Sequence, residues 1–349
     1  MPYQTEKNEK RFLNESDEGI MIITRTPFRI SLFGGGTDFP AWYRDHGGAV
    51  LSTTIDKYCY INCRYLPPFF SHKHRIVYSK SECVNKIDEI QHPAVRETFR
   101  FMKVKEGLEL HHDGDLPARS GIGSSSAFTV GLLHALYGLS GKIVSKKRLA
   151  MESIHIEQKM IKENVGSQDQ VAVSFGGLNK ILFKGDQNIE VIPITISIER
   201  LNEFQNHLLL FFTGLTRYAS DIEDDKMKNI PANRTQMKRL GKMTDSAIDI
   251  LDSEGDFDDI GRMLHESWLI KKSLSTQVSS GHIDAIYDAA LKSGALGGKL
   301  LGAGGGGFIL FYARPEQQKR LKKKLSRLLN VPFRFDSLGS QIIYYREGV

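Results

Sequence analysis

The hydrophobic pattern of the chain predicts strands and helices in an irregular order. Some apolar runs have strand-like spacing, whereas other segments repeat apolar residues every three to four positions, as one face of a helix does. Predicted strands begin at Met21 and cover residues 49–54, 57–65, 108–112, 208–213 and 308–313, with a hairpin at 174–192. Predicted helices cover residues 93–105, 128–139, 146–162, 227–251, 260–274 and 283–293. This order predicts an α+β architecture rather than a regularly alternating doubly wound sheet.

The same pattern divides the chain into a tail and two lobes. Residues 1–19 are polar and lack periodicity, which predicts a disordered tail. We place the N-terminal lobe at residues 20–200 and the C-terminal lobe at 201–349. Near the C-terminus, a basic run carries leucines at helical spacing and predicts an amphipathic helix with a solvated face. These leucines are Leu321, Leu325, Leu328 and Leu329.

Composition narrows the class of protein. The 349 residues are 40% hydrophobic, enough for a sizeable core, and no apolar run approaches the roughly 18 residues of a membrane span. The N-terminus does not resemble a signal peptide, so we expect a cytoplasmic protein that is a monomer or homodimer. The net charge of +6 is spread along the chain, which favours an anionic small molecule over nucleic acid or a membrane. Cys59 and Cys63 share one face of a strand and are expected in the core.

The most informative segment is a glycine and serine loop, residues 117–127, that leads into an apolar helix. Gly121 and Gly123 let the backbone turn and approach a ligand closely. The free N–H groups and the positive end of the following helix attract an anion. The three hydroxyls of residues 124–126 add hydrogen-bond donors or a metal ligand. This segment therefore predicts a phosphate site.

Neither of two familiar nucleotide-binding patterns fits the other glycines. The segment ending at Gly298-Lys299 lacks the first glycine and the final hydroxyl of a P-loop. Glycines in 302–307 match the dinucleotide spacing, but they precede a strand instead of opening a helix. Three glycine loops, at 34–36, 121–123 and 302–307, adjoin core elements and together predict one binding cleft.

Three segments in order, residues 25–38, 117–127 and 299–307, resemble the motifs of the GHMP small-molecule kinases. The resemblance covers the chain from Met21 onward. It implies a two-lobed fold, with an N-terminal mixed β-α lobe, a C-terminal ferredoxin-like α/β lobe and the active site between them. It also implies ATP as the phosphoryl donor and Mg²⁺ as the metal ion.

Within this resemblance, the serine loop corresponds to the segment that wraps the ATP phosphates. The implied ATP-binding residues are Pro117, Arg119, Ser120, Gly121, Ile122, Gly123, Ser124, Ser125 and Ser126. Ser125 and Glu157 match the family's magnesium ligands, and hard oxygen ligands suit this ion. A plain surface position is the alternative for Glu157.

Residues 166–170 are similar to the galactokinase segment that carries the catalytic aspartate. Asp169 is then the base that accepts the proton of the substrate hydroxyl, and Arg29 matches the cation beside it. Asp38 matches a residue that binds sugar hydroxyls. The alternatives are a capping role for Asp169, a surface salt bridge for Arg29 and a turn role for Asp38.

The glycine turn at residues 34–36 bears on the substrate. Galactokinases carry Gly-Glu-His before their Thr-Asp, so two sugar contacts are missing here and galactose is disfavoured. Residues 34–43 and 47–56 resemble the branch of the family that phosphorylates the anomeric C1 hydroxyl of D-glycero-D-manno-heptose 7-phosphate for GDP-heptose synthesis. ATP and a small sugar phosphate are thus the implied partners. The implied substrate-binding residues are Gly35, Gly36, Thr37, Asp38, Arg217, Gly304 and Gly305.

Two alternatives stay open at this point. One is another sugar 1-kinase of the family with a hexose-type substrate, and the other is an inactive sensor that binds sugar and nucleotide. A substrate that already bears a phosphate needs a second anion site, for which the sequence offers several cations. These are Lys57, Arg64, His72, Lys73, Arg75 and Arg217.

Overall fold

Two β-sheets organise the chain in a computed structural model that describes residues 19–67, 69–185, 188–215 and 233–346. The larger sheet contains β1 Met21–Phe33, β2 Gly48–Tyr65, β3 His74–Val77, β4 Ser81–Val84, β5 Leu108–Gly114, β6 Asn179–Phe183, β7 Ile189–Pro193, β12 Phe335–Asp336 and β13 Gln341–Arg346. The smaller sheet contains β8 Leu208–Phe212, β9 Ala295–Leu300, β10 Phe308–Ala313 and β11 Leu329–Val331. The predicted tail lies outside the described residues, apart from Gly19.

Helices pack around both sheets. They are α1 Pro40–His46, α2 Pro93–Met102, α3 Ser124–Leu139, α4 Lys146–His155, α5 Gln168–Phe175, α6 Ile198–Asn206, α7 Arg234–Asp252, α8 Asp258–Ser273, α9 Gly281–Leu291 and α10 Pro315–Lys324, with a 3₁₀ turn at Ile87–Glu89 and a π-helical segment at Ile156–Ile161. None of the helices in the described ranges is long and apolar enough to cross a membrane.

The sheet order brings both ends of the chain into the first lobe. In the described residues the larger sheet runs β13-β1-β2-β5-β3-β4, with β12 and β6 beside β2 and β7 beside β6. The smaller sheet runs β11-β8-β10-β9 and is antiparallel throughout. Strands β12 and β13 therefore return from the C-terminal lobe to the sheet that contains β1. The boundary at residue 200 stays a prediction.

Helix α3 is buried and directly follows the glycine and serine loop of residues 117–127, which is called the phosphate loop below. Its apolar residues are distributed around its whole circumference, which is the pattern of a helix enclosed by other elements. It lies close to the sheet at Gly131, where an added Cβ would lie 3.0 Å from Thr26 Oγ1. Thr24 Oγ1 donates a hydrogen bond to the carbonyl oxygen of Gly131 at 3.0 Å. The middle of α3 is thereby held against β1.

Three local predictions differ from the structure. The two strands predicted at 49–54 and 57–65 are one strand, β2, with a bulge opposite Pro27 that interrupts the alternation. The helix predicted at 146–162 changes at Ile156 into the π-helical segment, which contains Glu157. Leu329 was predicted on the apolar face of the C-terminal helix, but it begins β11 and is exposed, because the helix ends at Lys324.

Several predictions about buried positions are confirmed. Cys59 and Cys63 are both buried in β2, and Leu321 and Leu325 are buried beneath α10. The α+β architecture with two lobes is also confirmed. Residues 227–232 of the predicted helix before α7 lie outside the described residues.

A buried carboxylate joins three strands at one end of the larger sheet. Glu109 Oε2 accepts from Arg64 Nε at 2.8 Å, and its Oε1 accepts from Arg75 Nη1 at 2.9 Å. His111 Nε2 lies 3.2 Å from Oε1. Burial alone would raise the pKa of Glu109, but the hydrogen bonds from His111, Arg64 and Arg75 lower it to about 2.

We predict that Glu109→Gln lowers the free energy of unfolding by about 2 kcal/mol at pH 7, because charge-assisted hydrogen bonds to a buried group are lost. A depressed folded-state pKa stabilises the protein above the ordinary value of 4.5, and this contribution disappears as pH falls toward about 2. Denaturant unfolding of both proteins at pH 7, 4.5 and 3 checks this. A difference that stays constant across the range contradicts the prediction.

Candidate active site

The glycine and serine loop adopts the backbone conformation that its glycines permit. Gly121 has φ of 82° and Gly123 has φ of 75°, both in the left-handed region. The first α-helical hydrogen bond of α3 runs from Ala127 N to Gly123 O at 2.9 Å. The N–H groups of residues 124–126 therefore precede the helical ladder and are available to an anion.

The loop hydroxyls have different surroundings. Ser120 is buried and its Oγ donates to Pro117 O at 2.5 Å, so this side chain shapes the loop. Ser124 Oγ accepts the N–H of Arg119 at 3.1 Å. Ser125 is exposed at the start of α3. The assignment of these loop residues to ATP stays a prediction. The Ser120 hydroxyl is already used within the loop.

An ion pair joins the predicted base to the phosphate loop. Arg29 donates from Nε to Asp169 Oδ1 and from Nη2 to Oδ2, each at 2.7 Å. Its Nη1 donates to Gly121 O at 2.6 Å, and its backbone N–H to Ile122 O at 3.0 Å. The Arg29 side chain is 4% exposed and that of Asp169 is 24% exposed, so the carboxylate faces the open side. A Cβ at Gly123 would lie 3.0 Å from Arg29 Cγ.

Glu157 is buried behind the loop with one oxygen in use. Its Oε2 accepts from Ser126 Oγ at 3.0 Å and from Gln170 Nε2 at 2.5 Å. None of the described residues hydrogen-bonds to its Oε1. Burial raises the pKa of Glu157 to about 8 despite the hydrogen bonds from Gln170, Thr129 and Ser126. The hydroxyls beside Glu157 are therefore those of Ser126 and Thr129, whereas the predicted ligand Ser125 is exposed.

The Oε1 of Glu157, unpartnered among the described residues, fits a magnesium ion. A buried carboxylate oxygen without a partner is costly unless something pairs with it, and a hard cation is a suitable partner. Magnesium usually takes one or two protein oxygens and completes its shell with water and phosphate oxygens. The described residues contain no cluster of three or more metal-binding side chains, which is compatible with such a site.

The glycine turn after β1 is held by close backbone contacts. Gly34 has φ of 79°, and a Cβ there would lie 1.9 Å from Ala49 O. Thr37 is buried, and its Oγ1 accepts the N–H of Ala49 at 3.1 Å and lies 2.8 Å from Gly34 O. Gly34 is thus required by the packing, and the Thr37 hydroxyl is used within the turn.

Asp38 connects the glycine turn to the segment before α5. Its Oδ1 accepts the N–H of Gly36 at 2.8 Å and its Oδ2 that of Gln168 at 3.3 Å. Its carbonyl oxygen accepts the N–H of Ser167 at 2.9 Å. The turn role that the sequence left open is therefore present, and a contact of Asp38 with sugar stays a prediction.

Gly35 and Gly36 border side chains rather than backbone. A Cβ at Gly35 would lie 3.2 Å from Ser31 Oγ and 3.6 Å from Gln168 Nε2, and one at Gly36 would lie 3.6 Å from Met237 Cε on α7. Ser31 Oγ and Gln168 Oε1 are buried, and no described residue hydrogen-bonds to them. Side chains of both lobes thus meet beside the glycine turn.

The third glycine loop packs directly on the phosphate loop. A Cβ at Gly121 would lie 2.5 Å from Leu301 O, and one at Gly302 would lie 2.4 Å from Gly121 Cα. A Cβ at Gly307 would lie 2.2 Å from Ser120 O. Glycine is needed at these positions because two backbones touch there.

Gly304 and Gly305, which were predicted to bind substrate, lie against the connection between α8 and α9. Gly305 N donates to Val278 O at 2.9 Å, and a Cβ at Gly304 would lie 2.8 Å from Val278 Cα. Nearby, Lys271 Nζ donates to Gly302 O at 2.5 Å. Their assignment to substrate stays a prediction, and the observed contacts hold the loop in place.

Two of the cations proposed for a second phosphate, Arg64 and Arg75, lie far from Arg29. Arg217 lies outside the described residues. Arg64 and Arg75 both pair with the carboxylate of Glu109. On β2, Thr54 lies opposite Arg29, and Arg64 follows Thr54 by ten positions. At about 3.3 Å per residue, that distance is roughly 30 Å, too far for a sugar phosphate bound at Arg29.

The sequence motifs do not single out three polar residues beside Arg29 and Asp169. Ser31 lies two positions after Arg29 on β1 and therefore shares its face of the strand. Gln168 and Gln170 flank Asp169 on α5. The strand period and the adjacency to Asp169 were signals that could have identified them.

Comparison with known proteins agrees with this geometry. The chain matches the model of the GHMP kinases N terminal domain at residues 87–177 and that of the GHMP kinases C terminal at residues 247–331. It belongs to the GHMP kinase family, and the predicted family, fold and enzyme class, an ATP-dependent kinase, are confirmed.

Among its relatives, a D-glycero-alpha-D-manno-heptose 7-phosphate kinase of Campylobacter jejuni is 30% identical over 88% of this chain and 93% of the relative. An L-fucokinase/L-fucose-1-P guanylyltransferase of Bacteroides fragilis is 25% identical over 88% of this chain and 36% of the relative. The crystal structure of a D-glycero-D-manno-heptose 1-phosphate kinase from Bacteroides thetaiotaomicron has a TM-score of 0.75 at 23% identity, covering 93% of this chain and 99% of that one.

We predict that Gly121→Ala destabilises the protein more than Gly141→Ala does. Both glycines have positive φ, so both substitutions incur the left-handed strain of about 1–2 kcal/mol. Only the first adds a collision with the Leu301 carbonyl, since nothing lies within 4 Å of a Cβ at Gly141. Denaturant unfolding measures both losses, and equal losses would contradict the close contact of the two loops.

We predict that Asp169→Asn lowers turnover by at least ~10²-fold, the scale of a lost general base. Asparagine keeps the shape of the side chain, so we expect ADP affinity to change little. Steady-state kinetics and calorimetric titration with ADP check these two outcomes. Turnover near that of the unaltered enzyme, in a variant with an unchanged melting temperature, removes Asp169 from the role of base.

Proposed function

We propose that the enzyme transfers the γ-phosphoryl group of ATP to the anomeric C1 hydroxyl of D-glycero-D-manno-heptose 7-phosphate. The products are the 1,7-bisphosphate and ADP. The single observation that carries the proposal of phosphotransfer is the Arg29–Asp169 pair, with both bonds at 2.7 Å, beside Gly123 of the phosphate loop.

The arrangement suits direct in-line transfer. Asp169 is partly exposed, and each of its oxygens retains a lone pair after bonding to Arg29. It can accept the proton of the C1 hydroxyl as that oxygen attacks the γ-phosphoryl group. Arg29 keeps the carboxylate oriented and supplies positive charge next to the loop where negative charge develops.

The donor triphosphate is assigned to the start of α3. Backbone N–H groups of residues 124–126 and the positive end of the helix are available there. A magnesium ion, when bound, would offset the negative charge of the phosphates, and we propose Glu157 Oε1 and the Ser125 hydroxyl as its protein ligands. The N-terminal end of α3 would thus fix the donor while Asp169 acts on the acceptor.

Two features support a sugar acceptor, and the second favours a heptose phosphate. The glycine turn leaves Ser31 Oγ and Gln168 Oε1 without partners beside the catalytic pair, and sugar hydroxyls are suitable partners for both. The Campylobacter jejuni relative, 30% identical over nearly the whole chain, acts on a heptose 7-phosphate according to its name. The Bacteroides fragilis L-fucokinase keeps the hexose-type alternative in consideration.

A cation for the non-reacting phosphate is suggested by the position of α7. Met237 and Gly241 face the glycine turn. A Cβ added at Gly241 would lie 3.7 Å from Thr37 Cγ2. Arg234 lies three positions before Met237 on the same side of the helix and is exposed. We propose that it reaches the 7-phosphate of the bound sugar.

We predict that heptose 7-phosphate gives a kcat/KM at least ~10²-fold above those of free heptose, L-fucose and galactose. The non-reacting phosphate supplies binding energy that the other sugars lack.

Arg234→Gln is expected to raise KM for the sugar phosphate about tenfold and to leave KM for ATP unchanged. A coupled assay of ADP release over this substrate panel measures both.

Arg239→Gln is the matched control for this panel, because Arg239 lies on the other side of α7 and pairs with Glu266 at the surface. Its kinetics should equal those of the unaltered enzyme. Faster turnover of a free hexose than of heptose 7-phosphate overturns the substrate assignment. Equal effects of the two arginine substitutions overturn the role of Arg234 alone.

A further inference from the structure

Two helices, α3 and α5, donate hydrogen bonds to one oxygen of Glu157, and the Thr129 hydroxyl of α3 also lies beside the carboxylate. Ser126 from α3 and Gln170 from α5 both hydrogen-bond to Oε2, while Oε1 has no hydrogen-bonding partner among the described residues. Gln170 is fully buried, and its own Oε1 is also unpartnered. Among the described residues, the Gln170 side chain hydrogen-bonds to Glu157 alone.

We propose that Gln170, with Ser126, is a positioning residue that holds Glu157 so that its free oxygen faces the metal ion of the bound nucleotide. Two donors on one oxygen fix the rotation of a carboxylate and leave the other oxygen available to a hard cation. This inference rests on the proposed magnesium site and names the residues that orient its carboxylate.

The local secondary structure gives this arrangement a mechanical reason. Glu157 lies in a π-helical segment, where the wider turn alters the direction of side chains compared with an α-helix. The two donors to its Oε2, Ser126 and Gln170, both come from other helices. Gln170 directly follows Asp169, so the same turn of α5 holds the acceptor base and supports the metal ligand.

The competing explanation is a buried glutamic acid that only stabilises the packing of α3, α5 and the π-helical segment. The two explanations differ in what Gln170 affects. A positioning role changes how strongly magnesium improves nucleotide binding, whereas a packing role changes stability and nucleotide binding with or without metal. ADP binding needs no sugar, so the readout is independent of the heptose assignment.

The test is calorimetric titration of the full chain with ADP, with and without MgCl₂, for Gln170→Leu, Ser126→Ala and Glu157→Gln. We expect Gln170→Leu to reduce the magnesium-dependent gain in ADP affinity about tenfold, which is the scale of the loss in metal affinity when a residue that hydrogen-bonds to a metal ligand is replaced. The ADP affinity without metal should stay within about twofold. Ser126→Ala, a small change in a helix, should reduce the same gain and keeps the test valid if Gln170→Leu fails to fold. Mn²⁺ binding followed by electron paramagnetic resonance, in the presence of ADP, gives a second readout.

Gln158→Leu is the matched control. Gln158 is adjacent to Glu157 in sequence and its amide donates to Val165 O and Ser167 Oγ, at 2.9 and 3.0 Å, without contacting Glu157. It should keep the full magnesium-dependent gain. An unchanged gain in both Gln170→Leu and Ser126→Ala, or an equal loss in the control, overturns the inference. If Glu157→Gln itself keeps the gain, the magnesium site is wrong as well.

Discussion

The guanidinium group of Arg29 is the interaction on which the rest of the site depends. Its planar set of donors engages both oxygens of Asp169 and the carbonyl oxygen of Gly121, while its backbone N–H binds Ile122 O. One side chain thereby joins Asp169, the glycine and serine loop and β1. A lysine could supply the charge but not this geometry, because an ammonium group cannot make the planar bidentate contact.

The glycine loops satisfy a second constraint, the close approach of backbones. At Gly121, Gly302 and Gly307 an added Cβ would collide with a carbonyl oxygen or a Cα of the opposite loop. The phosphate loop therefore has a rigid backbone surface behind it, supplied by the C-terminal lobe. Since the loop must present N–H groups at fixed positions to bind phosphate, this rigidity is what makes the conformation useful.

The sequence was sufficient for the fold and for the two partners of the central ion pair. The family resemblance identified Arg29 and Asp169, and the hydrophobic period identified α3 from residue 128 onward, four residues after its observed start. The sequence could not reveal that Ser126 rather than Ser125 contacts Glu157, since the answer depends on the π-helical turn that carries Glu157. Nor could it show that Arg64 and Arg75 are held by a carboxylate at the other end of the sheet, a contact between residues distant in sequence.

The first turn of α5 joins the separate parts of the site. Successive residues of an α-helix point about 100° apart, so Gln168, Asp169 and Gln170 face three directions. Gln168 borders the glycine turn, Asp169 binds Arg29, and Gln170 binds Glu157. The preceding Gly166 lets this turn lie against Asp38, because a Cβ there would be 1.9 Å from the Asp38 carboxylate. A shift of this single turn would therefore move its contacts with the glycine turn, Arg29 and Glu157 together, and in the proposed mechanism this couples the position of the substrate to the geometry of transfer.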